Sequence, residues 1–173
     1  AQGLLGVSHR HRLEWARQLL RRENRVTDSS LVGNLMTSVS FYANTTIYII
    51  AGLLALLGAQ DQVMSATAAL PFARESSRSL WEMKLLLLLA VFVVAYFKFT
   101  WSLRLFNQLS ILIGAAPLVA RGEDERDMIR MARVNSMAGD EFNRGVRAYY
   151  FGLAAVTWFI QPWLFIAMTS VVL

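Results

Sequence analysis

Three apolar stretches dominate the sequence, and each is long enough to carry a helix through the roughly 30 Å hydrocarbon core of a bilayer, which takes roughly 20 residues. The first runs over 31–59. Asn34, Ser38, Ser40, Asn44, Thr45 and Thr46 make its early half partly polar, so that this half is expected to contact protein rather than lipid. The second runs over 80–113, through the leucines 85–89 and on past Phe99, with a cytoplasmic extension that Gly114 and Pro117 end. The third, 148–173, is interrupted at Gln161-Pro162. A proline there removes one helical hydrogen bond and clashes with the preceding turn, which leaves one kinked helix or a hairpin of two short ones. Two crossings of about 13 residues each fall short of a bilayer, so one span kinked at Pro162 is expected. The fold class that follows is an all-α integral membrane bundle with three long transmembrane helices, in a single domain over 1–173. Ala1 at the start and the uncharged, apolar 169–173 at the end suggest a fragment of a longer chain.

Composition agrees: 55% of the residues are hydrophobic and 17% charged, too apolar a balance for an ordinary soluble domain. It also narrows the chemistry. Without Cys there is no disulfide, thiolate metal site or cysteine nucleophile, and His9 and His11 both lie in a charged stretch rather than in an apolar segment where a haem would sit. No cofactor and no metal are expected, and no phosphate loop, zinc motif or nucleophile elbow occurs. The high pI lacks the interleaving of basic and aromatic residues that would suggest nucleic acid as a partner.

Arginine placement gives an orientation. Residues 1–30 hold six Arg, 59–81 only Arg74 and Arg78, and 104–147 seven. Since positive charge accumulates on the cytoplasmic side, 1–30 and 104–147 are expected there and 59–81 in the periplasm, across an inner membrane. Both basic segments read as helices. With Ser8 as N-cap, 8–25 sets Leu13, Trp15, Ala16, Leu19 and Leu20 on one face and Arg10, Glu14, Arg17, Gln18 and Arg21 on the other. That helix packs on its own bundle or lies on anionic headgroups, where Arg10, Arg12, Trp15, Arg17 and Arg21 would form the membrane-surface contact. The segment 124–147 opens with acidic residues, as the helix dipole favours, and carries Met128, Met131, Asn135, Ala138 and Phe142 at spacings of three and four before leading into 148–173.

Lys98 stands in an aromatic, otherwise apolar run, and an ionisable residue at membrane depth is a candidate functional site. Counted from Glu82 it lies about 24 Å along the helix, so its stem can snorkel to the inner headgroups. With Arg104 and Asn107 on the same helix, and Glu141, Asn143 and Arg147 across the loop, it is expected to form a polar network at the inner boundary. Asp140 and Glu141 are adjacent on a helix and point about 100° apart, so they do not converge as a catalytic pair. Asn34, Ser38, Asn44 and Thr45 are expected to make helix-to-helix hydrogen bonds.

Several strings together resemble the membrane family known as domain of unknown function 599. They are His9-Arg-His-Arg-Leu-Glu-Trp15, Asn24-Arg25 to Asp28 followed by Leu31-Val-Gly-Asn-Leu35, Ser38-Val-Ser-Phe41, and Ala51-Gly-Leu-Leu-Ala-Leu-Leu-Gly58. Lys84 with its leucines, Phe97-Lys-Phe-Thr-Trp-Ser102, Ile113-Gly-Ala-Ala-Pro117 and Phe142-Asn-Arg-Gly-Val-Arg-Ala-Tyr-Tyr-Phe151 extend the likeness over nearly the whole chain. The resemblance implies a bacterial inner-membrane helical protein, with a further transmembrane helix before the basic segment and a basic tail after the last apolar run. It implies no activity, and no catalytic, cofactor-binding or metal-ligating residue is assigned.

The expected function is therefore non-catalytic. The chain reads as an accessory, assembly or stabilising subunit of a larger inner-membrane complex, with the bilayer and other membrane subunits, or itself, as partners. A transporter or channel component using the charged inner-boundary residues is the alternative.

Overall fold

The structure, a computed structural model, describes residues 4–68, 77–117 and 125–172. The described residues form six helices and no strand: α1 (Leu4–Arg21), α2 (Val26–Gly58), α3 (Gln60–Ala68), α4 (Arg78–Ala115), α5 (Glu125–Ile160) and α6 (Pro162–Val172). The all-α reading holds. Two helices are long and apolar enough to cross a membrane, α2 with 33 residues and α4 with 38. At about 1.5 Å per residue they measure about 50 and 57 Å. Ser8 lies inside α1 rather than capping it, because nothing in 4–7 stops a helix as a proline would.

The expected third span is not present as one kinked helix. α5 runs unbroken to Ile160, so the predicted 124–147 helix and the start of the last apolar run are one element. The non-helical Gln161 then separates it from α6, of 11 residues. About 13 apolar residues remain on the α5 side of this break, fewer than the roughly 20 that a crossing takes. The chain also turns back. The rings of Phe151 and Phe165 have centroids 6.2 Å apart, whereas fourteen residues of straight helix would separate their backbones by about 21 Å. Pro162 is the physical cause, since it has no N–H to donate to the Trp158 carbonyl. The ladder still holds on either side, where Gln161 N donates to Thr157 O at 2.9 Å and Phe165 N to Gln161 O at 3.4 Å.

The chain forms two compact units, Ala1–Phe41 with Phe99–Phe142, and Tyr42–Lys98 with Asn143–Leu173; α2, α4 and α5 each contribute one part to each. In the first unit α1 buries Ala16, Leu19 and Leu20, α2 buries Val32 and Val39, and α4 buries Phe99, Ser102, Phe106, Leu109 and Ile113. Those α4 positions repeat at three and four residues, the period of one helical face. α5 answers with the same rhythm at Met128, Met131, Asn135 and Ala138, as its sequence predicts. Ser102 Oγ donates to the Ala138 carbonyl at 2.7 Å, and Phe99 lies 5.8 Å from Phe142 between ring centroids.

In the second unit the core is Leu53, Trp81, Leu85, Leu88, Phe92 and Ala155, with Tyr149, Phe159 and Phe165 packed against it. Aromatic edges set its geometry. Phe92 meets Tyr149 edge-on at 5.2 Å and Trp81 meets Phe159 at 4.9 Å, arrangements the ring quadrupole favours. The Tyr149 hydroxyl reaches Thr46 Oγ1 at 3.1 Å. Gly152 gives Phe92 its place, because a Cβ there would stand 2.8 Å from the ring.

Candidate functional site

In the first unit a polar junction forms where α1 leads into α2. Asp28 sits in the first turn of α2, where the helix dipole favours a negative charge, and is fully buried. Trp15 Nε1 donates to its Oδ1 at 2.6 Å and Arg22 Nη1 donates to the same oxygen at 2.8 Å. Oδ2 is buried and has no hydrogen-bond partner among the described residues. Nearby in sequence, Arg25 donates to the carbonyls of Ile113, Ala116 and Pro117. A helix leaves its last carbonyls without intrahelical donors, so one guanidinium completes the end of α4. The Asn24-Arg25 to Asp28 string therefore ties α1, α2 and α4 together.

The second unit contains a buried cation that stands in the sequence just before a run of leucines. Lys84 is 3% exposed, and its Nζ donates to the Trp158 carbonyl at 3.0 Å. That carbonyl is the one Pro162 leaves without a helical donor. The ammonium also lies 5.2 Å from the Trp158 ring centroid and 5.5 Å from that of Phe159, within cation–π range. A proline in one segment and a lysine at the head of an apolar run in another were the two available signals. Only the fold shows that they meet.

The outward face of α2 is the third feature. Its buried positions are Asp28, Val32, Val39, Ala43, Thr46 and Leu53. Turned away from them are Gly33, Asn34, Thr37, Ser38 and Asn44, all exposed, while Thr45 is half-buried. Ser38 and Thr37 donate to carbonyls of their own helix, those of Asn34 and Gly33. Within this chain, then, the expected contact residues Asn34, Ser38 and Asn44 face outward.

The inner-boundary residues fall in both units: Arg104, Asn107 and Glu141 in the first, and Lys98, Asn143 and Arg147 in the second. Arg104 is exposed and stacks over the Trp101 ring at 5.7 Å. Asn107, Asn143 and Arg147 are exposed, and Lys98 and Glu141 half-buried. Two of the residues expected at a membrane surface have contacts within the chain. Trp15 donates to Asp28, and the Arg12 guanidinium lies against α5 at Gly139. Arg10, Arg17 and Arg21 do face outward. There Glu14 accepts from Gln18 and Arg17, both at 2.8 Å. The Gln18 bond, helped by the arginine charges, holds its carboxyl below the usual range despite some opposing desolvation. Among the described residues no group of three or more His, Cys, Asp or Glu is placed to hold a metal ion.

A family model described as Protein of unknown function, DUF599, matches residues 1–173, and the chain belongs to that family. No curated protein and no solved structure matches it.

Proposed function

We propose that this member of the DUF599 family is a multi-pass membrane protein that works by association, as a non-catalytic accessory, assembly or stabilising subunit of a larger inner-membrane complex. The observation that carries this reading is the outward face of α2. Asn34, Thr37, Ser38 and Asn44 are exposed on a helix apolar enough to cross a bilayer, where an unpaired amide facing lipid is costly. A helix from a partner subunit, with small or polar residues of its own, satisfies that face by close approach and interhelical hydrogen bonds. Elsewhere the two long helices present apolar surface. Only 22% and 33% of their most apolar windows are buried, and Phe41, Tyr48, Leu54, Leu86, Val94 and Phe97 are exposed, as lipid contact requires. Arginine asymmetry gives this reading its topology, with 1–30 and 104–147 cytoplasmic and 59–81 on the opposite side.

The sequence has no Cys, so single-cysteine variants report without background. Asn34→Cys and Asn44→Cys, oxidised or treated with a short bifunctional thiol reagent in native membranes, are expected to join to a partner helix. Leu54→Cys and Leu86→Cys, placed toward lipid, are expected not to. Equal cross-linking at all four positions, or none at the asparagines, contradicts the association reading.

A further inference from the structure

Between α1 and α5 in the first unit lies a cleft lined by two polar side chains that have no partner among the described residues. Asn135 is 4% exposed and lines it, as does the half-buried Arg12. Among the described residues neither the Asn135 amide nor the Arg12 guanidinium has a hydrogen bond or ion pair. Both groups are therefore left with hydrogen-bonding capacity that no residue of the described chain takes up. Both residue types offer N–H donors, in Arg12 as a planar fork suited to paired oxygens. Among the described residues no carboxylate lines the cleft, and the Trp15 indole N–H in its wall is already given to Asp28. The Arg12 charge disfavours cations, and together with the Asn135 amide N–H it suits an oxygen-bearing anion.

We propose that this cleft binds an oxyanion of the phosphate class, either free phosphate or the phosphate of an anionic lipid headgroup. Arg12 and Asn135 supply the donors. The remaining walls are apolar, with Leu19, Leu109, Ile113 and Met131 among them, and the enclosed space holds about one water molecule, so the anion seats at the mouth. Gly139 sets the position of Arg12. The guanidinium rests against α5 at that glycine, and a Cβ there would occupy the space it takes. The His9 ring, bonded to Ser136 Oγ at 3.0 Å, fixes α1 on α5 one helical turn away. The site does not depend on the association reading, because it lies within one unit and needs no second chain.

The test uses the full chain in zwitterionic detergent and follows its thermal unfolding. Inorganic phosphate is titrated against chloride at matched ionic strength, and separately phosphatidylglycerol against phosphatidylcholine in mixed micelles. Stabilisation by phosphate or by the anionic lipid is expected. The half-saturating concentration should rise about tenfold in Arg12→Gln, the loss of a hydrogen-bonded charge contact. Gly139→Ala, which keeps the charge but displaces the guanidinium, should weaken binding in the same direction and carries the test if Arg12→Gln does not fold. Arg10→Gln, on the exposed face of α1, should bind as the unaltered chain does. A response to inorganic phosphate identifies the free anion as ligand, and a response to phosphatidylglycerol alone identifies the headgroup. Absence of both, or an equal loss in Arg10→Gln and Arg12→Gln, overturns the proposal, the latter by reducing it to diffuse surface charge.

Discussion

Lys84→Met tests whether the ammonium takes the place of the hydrogen bond that Pro162 cannot make. Methionine keeps most of the apolar stem and removes the charge, leaving the Trp158 carbonyl without its 3.0 Å donor. Leaving a buried acceptor unsatisfied costs about 1–3 kcal/mol. Losing the contacts with the Trp158 and Phe159 rings adds about 0.5–2 kcal/mol. Against this, the variant no longer desolvates an ammonium that is 3% exposed, which returns part of the sum. A net loss of about 1–3 kcal/mol is expected. The decisive measurement is a double-mutant cycle with Pro162→Ala, followed by reversible unfolding in detergent. Alanine restores an N–H one turn after Trp158, so the carbonyl has a donor whether or not Lys84 is present. Lys84→Met should therefore cost about 1 kcal/mol less in the Pro162→Ala background. Additivity to within about 0.3–0.5 kcal/mol would show that the two residues do not share that carbonyl and would refute the reasoning.

Trp15→Phe retains the ring but removes the 2.6 Å donor to the fully buried Asp28, and should lower stability by about 1.5–3 kcal/mol in the same assay; an unchanged midpoint would mean that Arg22 alone suffices. Gly152→Ala places a methyl 2.8 Å from the Phe92 ring and should cost about 1–3 kcal/mol, whereas Gly52→Ala, with nothing within 4 Å, should be neutral or gain up to about 1 kcal/mol in helix propensity. The reverse order would contradict the packing described for the second unit. For topology, a reporter fused after Gln60 should be exported and one fused after Gly122 retained, and a swapped pair of signals would reverse the orientation. Purified protein in liposomes should show no ion flux that Lys98→Met abolishes; such a flux, lost in a folded variant, would establish the transport alternative.

How much was legible depends on whether the determining residues are neighbours in sequence. The positions 128, 131, 135, 138 and 142 on α5 could be read directly, because a face of one helix is written in its own spacing. The extent of α4 was equally plain, since the breakers that follow it are local. Burial of Lys84 was not, because it depends on a carbonyl at Trp158 and a missing N–H at Pro162, both far along the chain. The turn at Gln161 shows the same dependence. A proline says that a helix is interrupted, but whether the chain kinks or folds back is decided by what the freed carbonyl finds and by where Phe165 packs. Trp15 could be read in two ways for a related reason: its amphipathic ring suits an interface as well as a core, and only the buried Asp28, beyond the end of α1, gives its N–H an inward partner. The outward face of α2 is the converse. Asn34 and Asn44 are expected to make helix-to-helix hydrogen bonds, and within this chain they are exposed, so the residues that would satisfy them belong, in the proposed reading, to another polypeptide.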